Sequence, residues 1–139
     1  MARSSTVIAC LAGLLGAAIA APLPVHADDE KPYSVVDGKV DQGTYNGYRR
    51  YASACHVCHG PDGLGSSYAP ALVDSLKRLS YEQFTEVVIN GRQNLTNGND
   101  KVMPSFGNTM DVAMYIDDIY AYLKARSDGA IGRGRPQKQ

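Results

Sequence analysis

The sequence predicts an all-α fold of three to four helices joined by long loops, and three observations predict it. Apolar residues recur at helical spacing in three separate segments. Clusters of Gly and Pro break the chain between those segments. Alternating apolar and polar runs, the mark of strands, are scarce. At 139 residues the chain has room for one domain and carries no internal repeat.

The chain divides into four parts. Residues 1–27 read as a signal peptide: Arg3 supplies a basic start, residues 7–21 are uncharged, and Val25-His26-Ala27 offers a small-x-small cleavage site ahead of an acidic stretch. Pro22 and Pro24 end the apolar run short of the roughly 20 residues that a membrane span needs. The expectation is cleavage after Ala27, a periplasmic location and no membrane-spanning segment. Cys10 lies inside the apolar run, where a lipid-modified cysteine would follow it. Cys10 and His26 are therefore expected to leave with the signal. Residues 28–42 read as an extended N-terminal arm or short strand wrapped on the body. Residues 43–126 are the expected domain, and residues 127–139 a basic tail containing Gly and Pro.

Within the domain, residues 42–58 form the first expected helix, with Tyr48, Tyr51 and Cys55 along one stripe. The run Gly60-Pro61-Asp62-Gly63-Leu64-Gly65 stops it. Residues 72–79 allow a short helix. Residues 80–90 are a clearer one: Ser80 and Gln83 read as a capping box, Tyr81, Phe84, Val87 and Val88 line one face, and Gly91 suits the C-terminal stop. Residues 92–107 read as a long loop. Its segment 94–100, NLTNGND, is rich in side-chain oxygens but lacks the pattern of an EF-hand loop, so turn chemistry is the preferred reading over calcium binding. The last helix is expected over residues 109–126, on Val112, Ile116, Ile119, Tyr120 and Leu123. The tail is expected to be mobile or to dock only on a partner.

Charge excludes one class of partner. Without residues 1–27 the chain keeps 13 basic and 14 acidic residues, so nucleic acid, which needs a surplus of Lys and Arg, is not the expected partner. The charge is uneven: from Lys124 onward five basic residues stand against Asp128 alone.

The segment ACHVCHG, residues 54–60, carries the chemistry. On a helix, positions 55, 58 and 59 share a face, so two thiols and one imidazole point the same way. C-x-x-C-H is the attachment signal of a c-type haem: Cys55 and Cys58 bond the macrocycle and His59 reaches its iron. A redox disulfide would belong near a βαβ pattern, which is absent. Zinc would have to draw four ligands from Cys55, Cys58, His56 and His59, crowded into five positions. His56 falls on a different face and is expected at the surface. With His26 gone, no further histidine remains for the second axial position. Met103 precedes Pro104 in the long loop, where the chain is held extended, and it is the expected ligand, with plain packing as the alternative. Met110 opens the last helix, and Met114 reads as its core or surface. An iron filled by His59 and Met103 has a raised potential and no open position for catalysis.

At these residues the sequence resembles the class I cytochromes c. Gly47-x3-Tyr51-x3-Cys55 matches the first helix of that family, Ile119-x-Ala121-Tyr122-Leu123-Lys124 its last, and Met103-Pro104-Ser105-Phe106 its ligand loop. The resemblance implies the class I cytochrome c fold around one covalently attached haem c. It also implies a role for Pro70, whose carbonyl in the family accepts a hydrogen bond from the proximal imidazole. Further segments resemble the methanol-metabolism-related cytochromes c: Tyr33-x-Val35-Val36-Asp37-Gly38, Tyr48-Arg49-Arg50-Tyr51, residues 65–70, residues 115–120 and Gly132-Arg133-Gly134-Arg135-Pro136. That resemblance implies a periplasmic electron carrier, not an enzyme. Its donor would be a quinoprotein (pyrroloquinoline quinone) methanol or alcohol dehydrogenase, and its acceptor a downstream cytochrome or oxidase. The competing readings are a general shuttle between a membrane complex and a terminal oxidase, and a small haem peroxidase. Docking is expected at a rim drawn from residues 63–67 and 102–106, with the basic tail steering toward an acidic patch; the alternative is that Arg133 and Arg135 fold back onto the acidic body.

Overall fold

The computed structural model describes residues 31–95 and 101–139. The expected signal peptide, with Cys10 and His26, lies outside the described residues, as do residues 96–100 of the oxygen-rich loop. Among the described residues no helix is long and apolar enough to cross a membrane.

The architecture is mostly helical. Helix α1 (Gln42–Arg50) runs through a π-helical turn (Tyr51–Cys55) into a short α2 (His56–His59). Helices α3 (Leu72–Ser75), α4 (Tyr81–Asn90), α5 (Met110–Ala113) and α6 (Ile116–Ser127) follow. Their ends obey local chemistry. Asp41 caps α1 by accepting from the Thr44 amide at 2.9 Å, and Arg49 and Arg50 sit in its last turn, at the negative end of the helix dipole. Ser80 and Gln83 close a capping box on α4 in both directions. Helix α6 carries Asp117 and Asp118 in its first turn and Lys124 and Arg126 in its last.

The core forms where α1 and α6 cross. A Cβ on Gly47 would lie 1.8 Å from the Asp118 carbonyl oxygen, so only glycine lets the two backbones approach. Tyr122 of α6 is fully buried between Tyr48 and Tyr51, with ring centroids 5.6 and 5.4 Å away. Ile119, Leu123 and Ala125 continue this buried stripe, and Leu76, Phe84, Val88 and Val112 close it from α3, α4 and α5.

Four expectations need correction. The last helix is broken: Tyr115, at φ −118° and ψ 24°, separates α5 from α6, and its ring lies under the Arg50 guanidinium at 3.8 Å. Residues 92–107 are not a plain loop, because β3 (Arg92–Asn94) pairs antiparallel with β4 (Lys101–Met103). The arm is a hairpin, β1 (Val35–Val36) against β2 (Lys39–Val40), turned by Asp37-Gly38 with both residues at positive φ. Tyr33 anchors it, its hydroxyl donating to Asp128 at 2.9 Å.

The fourth correction concerns the tail, which docks on its own chain rather than waiting for a partner. Strand β5 (Gln137–Lys138) pairs parallel with β2, and Ile131 is buried. The basic residues expected to steer a partner are engaged within the chain. Lys124 pairs with Asp128 at 2.6 Å and Arg133 with Asp62 at 3.2 Å, while Arg135 bonds the Tyr45 hydroxyl. The acidic body attracts its own basic tail: Lys124 and Arg133 each lie against a carboxylate, while Arg135 and Lys138 bond uncharged groups.

The helix crossing generates a test. Gly47→Ala forces the α1 backbone away from Asp118, and overpacking of this kind costs about 3 kcal/mol. Denaturant unfolding should show a lower midpoint with an unchanged slope. An unchanged midpoint would show that the crossing tolerates separation.

Candidate functional site

The site grows from the end of the first helix. Within the π turn the His56 amide donates to the Tyr51 carbonyl, five residues back, which adds a residue to one turn just as the Cys-x-x-Cys-His run begins. Such turns are rare and recur at functional sites. His59 ends α2 and is 7% exposed, whereas Val57 is 76% exposed and His56 lies at the surface. The His56 ring bonds back to the Ala52 carbonyl at 2.9 Å, away from His59.

Gly60 then turns the chain sharply at φ 72°. A Cβ there would sit 2.3 Å from the Gly65 carbonyl oxygen, so the fold of the 60–65 segment requires glycine. Three hydrogen bonds bind the segment to the helix end. The Gly65 amide donates to the His59 carbonyl at 2.7 Å, the Ser66 hydroxyl to the Cys58 carbonyl at 2.5 Å, and the Tyr51 hydroxyl to the Gly60 carbonyl at 2.5 Å. The returning chain brings the Pro70 carbonyl to 3.0 Å from Nδ1 of His59. A carbonyl only accepts, so Nδ1 carries a proton and Nε2 is the nitrogen turned away from this bond. The bond thus leaves Nε2 as the ring nitrogen available to coordinate.

Cys55 and Cys58 are half-buried free thiols. Burial, with Cys58 beside it, pushes the Cys55 thiol up to about 11. The attacking cysteine of a redox dithiol has a lowered thiol pKa, the opposite of the direction at Cys55. Among the described residues no cluster of three or more His, Cys, Asp or Glu forms a metal site.

Met103 belongs to a separate element. It ends β4, opposite Arg92, and packs half-buried against the core. The loop after it is stitched to the end of α4: the Ser105 hydroxyl donates to the Ile89 carbonyl at 2.5 Å, and the Phe106 amide to the Val88 carbonyl at 3.0 Å. Gly91, at φ 77°, lies directly under this loop, where a Cβ would be 2.7 Å from the Met103 carbonyl oxygen. Met110 and Met114 are 69% and 70% exposed.

The structure therefore brings Cys55, Cys58, His59 and Pro70 together and holds Met103 on its own anchored loop. Two unpaired thiols three positions apart, an imidazole held through Nδ1 and a half-buried thioether are the donor set that fits a c-type haem. Sequence reasoning missed the parts played by Ser66 and Gly91. Gly91 was visible only as a helix stop, and its second task depends on which loop crosses it.

Comparison with known proteins places this geometry. A family model described as cytochrome C oxidase, cbb3-type, subunit III matches residues 43–123. The chain is 50% identical over 114 residues to cytochrome c-553I of Paracoccus denitrificans, covering 81% of this chain and 50% of that one. It is 39% identical over 137 residues to cytochrome c-555 of Methylococcus capsulatus (strain Bath), covering 98% of this chain and 95% of that one. The crystal structure of the c-type cytochrome XoxG from Methylobacterium extorquens AM1 superposes with a TM-score of 0.69 at 55% identity, covering 77% of this chain and 66% of that chain. The chain thus spans about half the length of cytochrome c-553I and nearly all of cytochrome c-555.

Gly91→Ala tests how the Met103 loop is held. A β-carbon at positive φ and 2.7 Å from backbone should cost about 2 kcal/mol. The NMR signal of the Met103 methyl group should shift while those of Met110 and Met114 stay. A Met103 signal that does not move would contradict the contact.

Proposed function

We propose, because this chain belongs to the class I cytochromes c, that it is an exported one-electron carrier serving a quinoprotein alcohol dehydrogenase. As a c-type cytochrome it carries covalently bound haem c. That group supplies a one-electron iron couple. The residues of the chain decide how it is held and what else it is kept from doing.

In this reading Cys55 and Cys58 would form the two thioethers, and Nε2 of His59 and the sulfur of Met103 would ligate the iron. The observation that carries the reading is the 3.0 Å contact between Nδ1 of His59 and the Pro70 carbonyl, because it orients the ring and leaves the coordinating nitrogen free. A hydrogen bond of this kind also raises the basicity of the imidazole. Met103, on a loop anchored to α4, would supply the second ligand. With both ligands in place the iron would exchange electrons and offer no position to small substrates.

The donor is read from the likeness to methanol-metabolism-related cytochromes c, and the 55% identity to a c-type cytochrome from Methylobacterium extorquens supports it. Electrons would leave the reduced cofactor of the dehydrogenase singly, pass to this protein in the periplasm, and go on to a downstream cytochrome or oxidase. The exposed Leu64, Tyr68 and Val102 lie at or beside the expected rim segments 63–67 and 102–106. Small, largely apolar contacts suit an encounter that must form and release quickly.

Met103→Ala should abolish the long-wavelength iron–sulfur absorption of the oxidised protein, lower its potential and admit carbon monoxide to the reduced iron. Met110→Ala and Met114→Ala should keep the band. In stopped-flow mixing, the purified cytochrome should be reduced by a quinoprotein methanol dehydrogenase within the turnover time of that enzyme. Loss of the band in Met110→Ala would move the ligand, and a failure of reduction would remove the proposed donor.

A further inference from the structure

We propose that the C-terminal segment 130–135 is a positioning strap for the imidazole of His59, anchored on Asp62; the proposal rests on the reading of His59 as an axial ligand. Asp62 lies three residues beyond His59, in the turn Pro61–Gly63, and is 9% exposed at φ 61°. Alone, such a residue is costly on two counts. A buried carboxylate needs partners, and a left-handed backbone is strained for a residue with a Cβ, although Asp and Asn bear it best.

The tail supplies the partners. Nε of Arg133 donates to Oδ2 of Asp62 at 3.2 Å, and the Gly134 amide donates to Oδ1 at 2.8 Å. Arg126, from the last turns of α6, joins the two pieces: Nε donates to the Asp62 carbonyl at 3.3 Å and a terminal nitrogen to the Ile131 carbonyl at 3.0 Å. The strap is itself held at both ends. Before it, the Ala130 amide donates to the Ala125 carbonyl at 2.9 Å and Ile131 is buried. After it, β5 pairs with β2, and the Gln139 amide donates to the Val40 carbonyl at 3.0 Å.

This grip falls on the piece of backbone that sets the ring. The His59 and Gly60 carbonyls are fixed by the Gly65 amide and the Tyr51 hydroxyl. The same 60–65 turn leads to Pro70, whose carbonyl holds Nδ1. Asp62 is the side chain through which that turn is gripped from behind. Releasing it frees the turn to rock, and the bond from His59 to Pro70 opens more often. Arg133 and Asp62 are thus positioning residues that act on the ligand through the turn.

The test uses the intact holoprotein and reads solvent exchange of the His59 Nδ1 proton by NMR. The backbone amide of Ile119, which donates to the Tyr115 carbonyl, reports global opening. Asp62→Asn keeps an acceptor for Gly134 and suits positive φ, but it sets an amide N–H donor where Oδ2 accepted from Arg133, so it breaks that one contact and removes its charge. Arg133→Ala and Asp62→Asn should each speed exchange of the ring proton at least tenfold, with Ile119 changed less than twofold. Arg133→Lys, which keeps the charge, should return the ring proton to within threefold of the parent rate. A ring proton unchanged in both variants, or accelerated only in step with Ile119, would overturn the strap's role. A His59 ring without hyperfine shift in the oxidised parent protein would instead overturn the ligation reading, and the strap's function with it.

Discussion

Everything at the site follows from one hydrogen bond, from Nδ1 of His59 to the carbonyl of Pro70 at 3.0 Å. It occupies Nδ1, and so determines which nitrogen is left to coordinate. It also fixes the plane of the ring. To make that bond the chain must leave α2, reverse and return within eleven residues. The reversal explains the glycines: Gly60, Gly63 and Gly65 all adopt positive φ, and a side chain on Gly60 or Gly65 would meet backbone within 2.7 Å. Sequence, turn and ligand geometry are therefore one constraint seen at three scales.

The helical frame supplies the fixed reference for that turn. Gly47 lets α1 press against α6, and the Tyr48–Tyr122–Tyr51 cluster locks the crossing. The same Tyr51 then reaches the Gly60 carbonyl, so the core and the turn share a residue. The second side of the site is built differently. Its loop hangs on backbone carbonyls at the end of α4 and on the absence of a side chain at Gly91. One side rests on a helix crossing and the other on a helix end.

Much of this was legible in the sequence, and the reasons differ by element. The capping box at Ser80 and Gln83, the stop at Gly91 and the stripe of α6 are local signals, and local physics decided them. The Cys-x-x-Cys-His run is legible because its chemistry is carried by five adjacent positions. What escaped was set by partners distant in sequence. The Tyr115 ring at the break packs on Arg50, from a helix far away in sequence. The pairing of β3 with β4 joins strands too polar to alternate, with all three residues of β3 exposed. The tail was misread because glycine and charge resemble disorder until a buried Asp62 is placed opposite Arg133. The Asp37-Gly38 turn is the instructive case: it is a strong hairpin signal, overlooked because the flanking strands are only two residues long.

The central claim is that the iron is closed on both sides, by His59 and by Met103 alone among the methionines. The most direct measurement is proton NMR of the reduced holoprotein with methyl-labelled methionine. A methionine methyl held at the iron would resonate far upfield of any ordinary methyl. The account predicts one such signal, assigned to Met103, with Met110 and Met114 at ordinary positions. An upfield signal from Met110 or Met114, or none at all, would contradict it.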